Sequence, residues 1–392
     1  MKRLKITALL LGGLLFLSGC AAETNAPAEP LGDLTAVEMA EKLNLGWNLG
    51  NSFDAYSSGR ADETAWGNPE TTAALLNAVK ATGFDTIRIP VSYLGRTGDA
   101  PDYAIETAWL DRIQEVVDAA MEAGLYAIIN IHHDGNNDTA NGAWIDCTAE
   151  DQTPVQEKLG KLWEQIAERF RDYDERLIFE SMNEIHDGTY QPPRGADGQR
   201  FYDNINALNQ VFVDTVRASG GNNADRWLLV PGYNTNIDYT IAGFVLPQDS
   251  AESRLMVSVH FYDPYQYALE ENFNTSVWGS AAQGNCGWGN EDYVDAQFEK
   301  LETVYVENGI PVIIGEYGAI NKNQDEYRNY YMEYVTKSAC EHSLVPVYWD
   351  NGYNGDFGFA LFDRATGDVL HQDMLDAMNR ASSGKDYTVK AP

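Results

Sequence analysis

Basic residues are scarce in this 392-residue chain: 27 Lys and Arg stand against 59 Asp and Glu, a net charge of −32. They form no basic stripe, and so acidic a chain is repelled by polyanions. Nucleic acid is therefore excluded as a partner, and a neutral polymer is favoured over a charged one. Cysteine is sparse too, four in all, with no CxxC or Cys/His spacing, so no metal site is expected. Neither GxGxxG nor GxxxxGK[ST] occurs, and the first strand-to-helix turn, Gly50-Asn51-Ser52-Phe53, lacks the glycines that let a backbone cradle phosphate; a nucleotide is not expected. No repeat, low-complexity stretch or linker interrupts the chain after residue 33. Its one long apolar run, Ile6 to Phe16, is too short for an ordinary membrane span.

That run follows Lys2, Arg3 and Lys5 and closes on Leu17-Ser18-Gly19-Cys20, which resembles the lipobox of bacterial lipoproteins. Residues 1–20 thus read as a lipoprotein signal with Cys20 as the lipidated residue. Residues 21–35, rich in Ala, Glu and Pro, read as a disordered tether. The expected protein is an extracytoplasmic monomer held to the cell surface or outer membrane through that lipid alone. One folded domain over 36–380 and a tail over 381–392 account for the remainder. Cys147 and Cys286, both in loop-like stretches near Trp, are candidates for a disulfide.

Short β-like runs alternate with amphipathic helical stretches. The expected strands are 43–49, 86–90, 126–132, 177–182, 227–230, 255–261, 311–316 and 344–349. Helices are expected over 71–81, 108–123, 154–170, 204–218, 237–244, 293–308, 325–338 and 371–379. Eight strands, each leading to a helix, predict an α/β fold, a closed (β/α)8 TIM barrel whose extended βα loops form an open cleft.

Polar residues gather where these strands stop: Asn48 and Asn51, Arg88, His132 and His133, Asn183 and Glu184, His260 and Tyr262, Glu316, and Trp349. A barrel brings those ends to one face. Apolar strand ends have no structural need for Arg, His and Glu together. A carboxyl at Glu184, its pKa raised by a nearby negative charge, can protonate a glycosidic oxygen. Asn183 beside it can bond a sugar hydroxyl. Glu316 ends the apolar run Pro311 to Gly315, where a charge needs partners; Arg88, Tyr262 and the histidines are candidates to hold it ionised as a nucleophile. Two carboxylates near 5 Å apart give retention and a gap of roughly 6.5–9.5 Å gives inversion, and the sequence leaves that choice open. Trp349 suits the floor under a sugar ring, and Trp66, Trp144, Trp278 and Trp288, in polar loops, suggest subsites along a cleft.

The motifs Leu49-Gly50-Asn51, Arg88-Ile89-Pro90, Ile131-His132-His133, Ser181-Met182-Asn183-Glu184, Val259-His260-Phe261-Tyr262 and Ile314-Gly315-Glu316-Tyr317-Gly318 follow one another in the order and spacing of glycoside hydrolase family 5. The resemblance covers about residues 36 to 380. It implies a retaining mechanism without cofactor, with Glu184 as acid/base and Glu316 as nucleophile. It also implies that Arg88, His132, Asn183, His260 and Tyr262 surround the sugar at the cleavage point above Trp349. Gly46-Trp47-Asn48-Leu49-Gly50-Asn51 and Glu63-Thr64-Ala65-Trp66-Gly67 resemble the endoglucanase, lichenase and xyloglucanase subgroup, which implies a β-1,4-glucan substrate. A β-mannanase and a non-catalytic surface glycan-binding lipoprotein are the alternatives.

Overall fold

The computed structural model describes residue 32 and residues 34–392; the expected leader, Cys20 and most of the tether lie outside the described residues. Eight parallel strands close into a barrel: β1 (Gly46–Leu49), β2 (Thr86–Ile89), β3 (Tyr126–Asn130), β4 (Leu177–Glu180), β5 (Leu228–Pro231), β6 (Leu255–Phe261), β7 (Val312–Tyr317) and β8 (Val345–Asp350), with β1 paired to both β2 and β8. Helices α2 (Ala73–Ala81), α3 (Thr107–Glu122), α4 (Thr153–Arg169), α5 (Gly195–Ala218), α6 (Ile237–Gly243), α8 (Glu291–Val304), α9 (Asp325–Glu341) and α10 (Gln372–Ala381) follow the strands in turn. A short α7 (Tyr265–Ala268) sits in the long loop after β6, and α1 (Ala36–Leu43) precedes the barrel. No helix among the described residues is long and apolar enough to cross a membrane.

The two-residue period of the strands sorts their side chains. Ile87 and Ile89, Leu177 and Phe179, Val257 and Val259, and Val312 and Ile314 join one large cluster with residues of the surrounding helices. The alternate positions Ile128, Ile178, Leu229, Met256, Ile313 and Val347 fill the lower barrel, together with Met39 and Leu43 of α1. One step further up the same inner face the residues turn polar: Asn48, Arg88, Asn130, Glu180 and Ser258 are all at most 1% exposed. The barrel is therefore dry below and polar above, and the polar layer forms the base of the site.

Several boundaries differ from expectation. Leu43 ends α1 rather than starting β1. Thr35 caps that helix reciprocally with Glu38, and its Met39 and Leu43 seal the barrel bottom, each contributing about 1.5–3 kcal/mol by burial. Helix α5 starts at Gly195, not Asn204, because its first turns carry mostly polar residues and show no apolar stripe. Helix α8 stops at Val304, and Val306–Asn308 is a separate 3-10 turn.

The expected disulfide does not form. Cys147 is buried and Cys286 half-buried, both as free thiols, and Cys286 Sγ donates instead to the Trp288 carbonyl at 3.2 Å. Loop position and nearby Trp carry no information about the facing geometry a disulfide needs.

Candidate active site

Arg88 organises the polar layer. Its Nε donates to Glu180 Oε2 at 2.7 Å, its Nη1 to Glu316 Oε1 at 2.8 Å and Asn48 Oδ1 at 3.0 Å, and its Nη2 to Asn183 Oδ1 at 2.8 Å. A fully buried guanidinium is stable only when such partners replace water, and the planar fork fixes all four at once. Burial opposes the charge on Arg88, and Glu180 and Glu316 more than restore it, so its pKa is raised.

Glu180 is a buried carboxylate that the sequence reading passed over. It also accepts from Asn130 Nδ2 at 2.9 Å and Ser258 Oγ at 2.7 Å. A glutamate at an inner-face position of an otherwise apolar strand, Leu177-Ile178-Phe179-Glu180, was the available signal. Its three partners all lie within the polar layer, so it serves as scaffold.

Glu316 receives a second donor, Tyr262 Oη, at 3.0 Å. A bulge between Val259 and His260 sets His260 opposite Glu316 in the ladder, re-aiming the ring as bulges do. His260 Nδ1 then lies 2.6 Å from Glu184 Oε1 and 3.6 Å from Glu316 Oε2. Gly315 leaves room for this, since a Cβ there would stand 3.2 Å from His260 Nε2. One carboxylate oxygen from each glutamate and one His260 ring nitrogen all lie within 4.8 Å of one another. That separation falls on the close side of the two carboxyl spacings, the one associated with retention.

The two glutamates shift in opposite directions. Burial pushes Glu316 up, over the opposing pull of His260 and Arg88, with the Glu184 charge adding to the rise. Burial opposes ionisation of Glu184 as well, but the hydrogen bond and charge of His260 outweigh it and hold this carboxyl below its ordinary value. The burial cost falls harder on Glu316, whose side chain is 7% exposed, than on Glu184 at 34%. A raised Glu184 was expected from the nearby negative charge alone; His260 reverses the direction.

Around the pair, His132 stacks parallel to Trp349 with ring centroids 6.0 Å apart, and its Nε2 is 3.9 Å from Glu316 Oε1. Burial drives the His132 pKa well down, so its ring is neutral. Trp349 approaches the β1 loop closely: a Cβ at Gly50 would lie 2.8 Å from its ring. His133 faces buried Asp54 at 3.5 Å and packs on Trp66 and Tyr56. Asp54, His132 and His133 are the other group, among the described residues, close enough in principle to share a cation.

Asn51 takes a different place. It sits at the barrel rim in a left-handed conformation, φ 56°, its carbonyl held by Asn68, and no hydrogen bond joins it to the carboxylates. The loop tryptophans divide. Trp66 and Trp288 are 42% and 38% exposed, as a sugar platform requires. Trp278 is buried among Tyr330, Tyr331 and Tyr334 and donates to the Gly289 carbonyl. Trp144 is pinned to Asp134 at 2.7 Å beneath the Lys158 amine. Both are structural, because a polar loop can fold back and bury its own aromatic rings.

A closed parallel barrel with two close carboxyls in an aromatic-lined mouth defines a glycoside hydrolase of the (β/α)8 class. Residues 50–355 match the family Cellulase (glycosyl hydrolase family 5). The chain is 46% identical over 386 residues to Endoglucanase A of Paenibacillus barcinonensis, across 93% of this chain and 95% of that one. Among solved structures it is similar to a family 5 xyloglucanase from Paenibacillus pabuli, with TM-score 0.85, 48% identity and coverage of 88% and 100%. It is likewise similar to a broad-specificity endoglucanase from Bacteroides salanitronis, with TM-score 0.87, 46% identity and coverage of 92% and 98%. The chain belongs to glycosyl hydrolase family 5, the cellulase family. It is a cellulase-type hydrolase acting on β-glucan polysaccharide.

Proposed function

We propose that this protein is a retaining endo-β-1,4-glucanase in which Glu316 is the nucleophile and Glu184 the acid/base, acting on cellulose-like, mixed-linkage and xyloglucan chains. The observation that carries the reading is the carboxyl separation, within 4.8 Å, which matches direct attack by one carboxylate rather than attack by an intervening water. The Glu316 carboxylate attacks the anomeric carbon as Glu184 protonates the departing oxygen. Glu184 then takes a proton from the water that releases the glycosyl group from Glu316. Arg88 and Tyr262 both donate to Glu316, whereas the pull on Glu184 comes largely from His260. Double displacement needs the proton on Glu184 and the charge on Glu316, where Arg88 and Tyr262 donate to it. Asn183, its amide oriented by Arg88, is placed to bond the sugar hydroxyl beside the reacting carbon, a contact that strengthens as positive charge develops. His132 and Trp349 supply the wall and floor.

The Leu17–Cys20 sequence supports anchoring of the domain at a cell surface through lipid on Cys20. The mechanism is tested by Glu316→Ala, which is expected to lose turnover by several orders of magnitude while keeping its melting temperature and oligosaccharide binding. Product stereochemistry followed by NMR is expected to show the β-anomer first. Parent-like turnover in the variant, or the α-anomer as first product, removes Glu316 from this role.

A further inference from the structure

Asp54 and His133 face each other without bonding. Asp54 is fully buried in the loop after β1, and its Oδ2 lies 3.5 Å from Nε2 of His133, in the loop after β3. Both atoms are shut off from solvent, and neither has a hydrogen-bond partner among the described residues. A carboxylate oxygen left unpaired in such a place is costly, and a cation between the two atoms removes that cost. His132 completes the group: one ring nitrogen from each histidine and one Asp54 oxygen lie within 4.8 Å of one another. Around a tetrahedral zinc-sized ion, donor atoms stand about 3.3 Å apart, so small side-chain shifts bring all three onto one ion.

The donors are held in place before any ion arrives. Asp54 Oδ1 accepts from Ser52 N at 2.9 Å. Ser92 Oγ donates to the Asp54 carbonyl at 3.0 Å and accepts from His133 N at 3.1 Å, and His132 N donates to the Val91 carbonyl at 2.7 Å. Val91 and Ser92 follow β2, which pairs with both β1 and β3, so three neighbouring loops brace the group. The two imidazoles meet edge to face, centroids 4.5 Å apart at 78°. The His133 side chain is 20% exposed and gives the way in from solvent. Two imidazoles and one carboxylate suit zinc and its transition-metal neighbours, whereas calcium and magnesium take oxygen ligands throughout. His132 has a second neighbour to serve, because its ring stacks on Trp349 and its Nε2 lies 3.9 Å from Glu316 Oε1. A three-ligand site leaves its fourth position to water, so a bound ion and a sugar contend for the same ring.

We propose that Asp54, His132 and His133 form a binding site for a zinc-class divalent transition metal, and that the bound ion excludes the sugar from the cleavage point. The exclusion rests on the sugar site proposed above; the binding does not. Zinc is titrated calorimetrically into chelator-stripped, tag-free protein with no glucan present. The parent is expected to take up one ion at this site. Affinity is expected to fall by at least about tenfold in Asp54→Asn, which keeps the shape of the side chain and the acceptor for Ser52 N. His133→Gln is expected to weaken binding likewise, which covers an Asp54 variant that does not fold. Zinc held instead by Glu184, His260 and Glu316, or by the free thiols, is indifferent to both substitutions. In initial rates on a soluble β-glucan, zinc is expected to raise KM in proportion to its concentration while kcat holds. No uptake by the parent, or equal uptake by parent and variants, overturns the site. Zinc bound there with KM unmoved overturns the exclusion. A parent without glucanase activity defeats the reading of the glutamates instead, and the calorimetry still decides the site.

Discussion

Replacing Glu180 with Gln separates the scaffold of this site from its chemistry. Glu180 is fully buried and accepts from Arg88 Nε, Asn130 Nδ2 and Ser258 Oγ, with no hydrogen bond to either Glu184 or Glu316. Glutamine keeps the shape. Its carbonyl takes over the bonds from Arg88 and Asn130, and the Ser258 hydroxyl turns to accept from the new amide. What is lost is the charge opposite Arg88, which then has Glu316 as its one remaining anionic partner. Breaking a buried ion pair costs 3–5 kcal/mol; with Glu316 still paired, the lower end applies, about 3 kcal/mol. At about 2 °C per kcal/mol for a large domain, the melting temperature is expected to fall by about 6 °C. Below the transition, kcat on a soluble β-glucan is expected to drop far less than in Glu316→Ala, since Arg88 still holds Glu316 and Asn183. Calorimetry and initial rates on one preparation make the comparison. An unmoved melting temperature with activity abolished would refute the reasoning, because Glu180 would then belong to the reacting groups.

The pH profile of kcat/KM is expected to be bell-shaped. The active form carries one proton between the two carboxyls, so activity is lost at low pH as the pair takes up a second proton and at high pH as it loses its last one. The sign is checked by the alkaline limb, which lies above the ordinary carboxylate value of 4.5; a limb below that value contradicts it. Trp66→Ala is expected to lower kcat/KM on long glucans with little change in melting temperature. Trp278→Ala is expected to destabilise the fold by about 3–5 kcal/mol, and equal melting temperatures for the two variants would contradict their different burial. A thiol titration of residues 34–392 under denaturing, non-reducing conditions is expected to count three free cysteines, and a reductant should leave the melting temperature in place. A fall of several degrees would indicate a disulfide after all.

The sequence by itself determined the class of fold and the identity of the central groups. Eight apolar runs spaced by helices leave few closed arrangements, and Arg88, Asn183, Glu184, His260, Tyr262 and Glu316 stand at strand ends, where period and polarity conflict. Those signals are local and need no partner to be legible. Tertiary structure decided what depends on facing. Glu180 became scaffold because Arg88, Asn130 and Ser258 converge on it from three strands. Glu184 became the lowered member of the pair because a bulge turned His260 toward it. Trp278 was buried, Trp144 half-buried between Asp134 and Lys158, and Trp66 and Trp288 left open by the way their loops fold back. Cys147 and Cys286 stayed apart, and Asp54 came to face His133. The sequence neighbourhood of each residue does not name its partner, because burial, hydrogen-bond partner and charge environment are properties of pairs distant along the chain, fixed only when the barrel closes and its loops settle over the mouth.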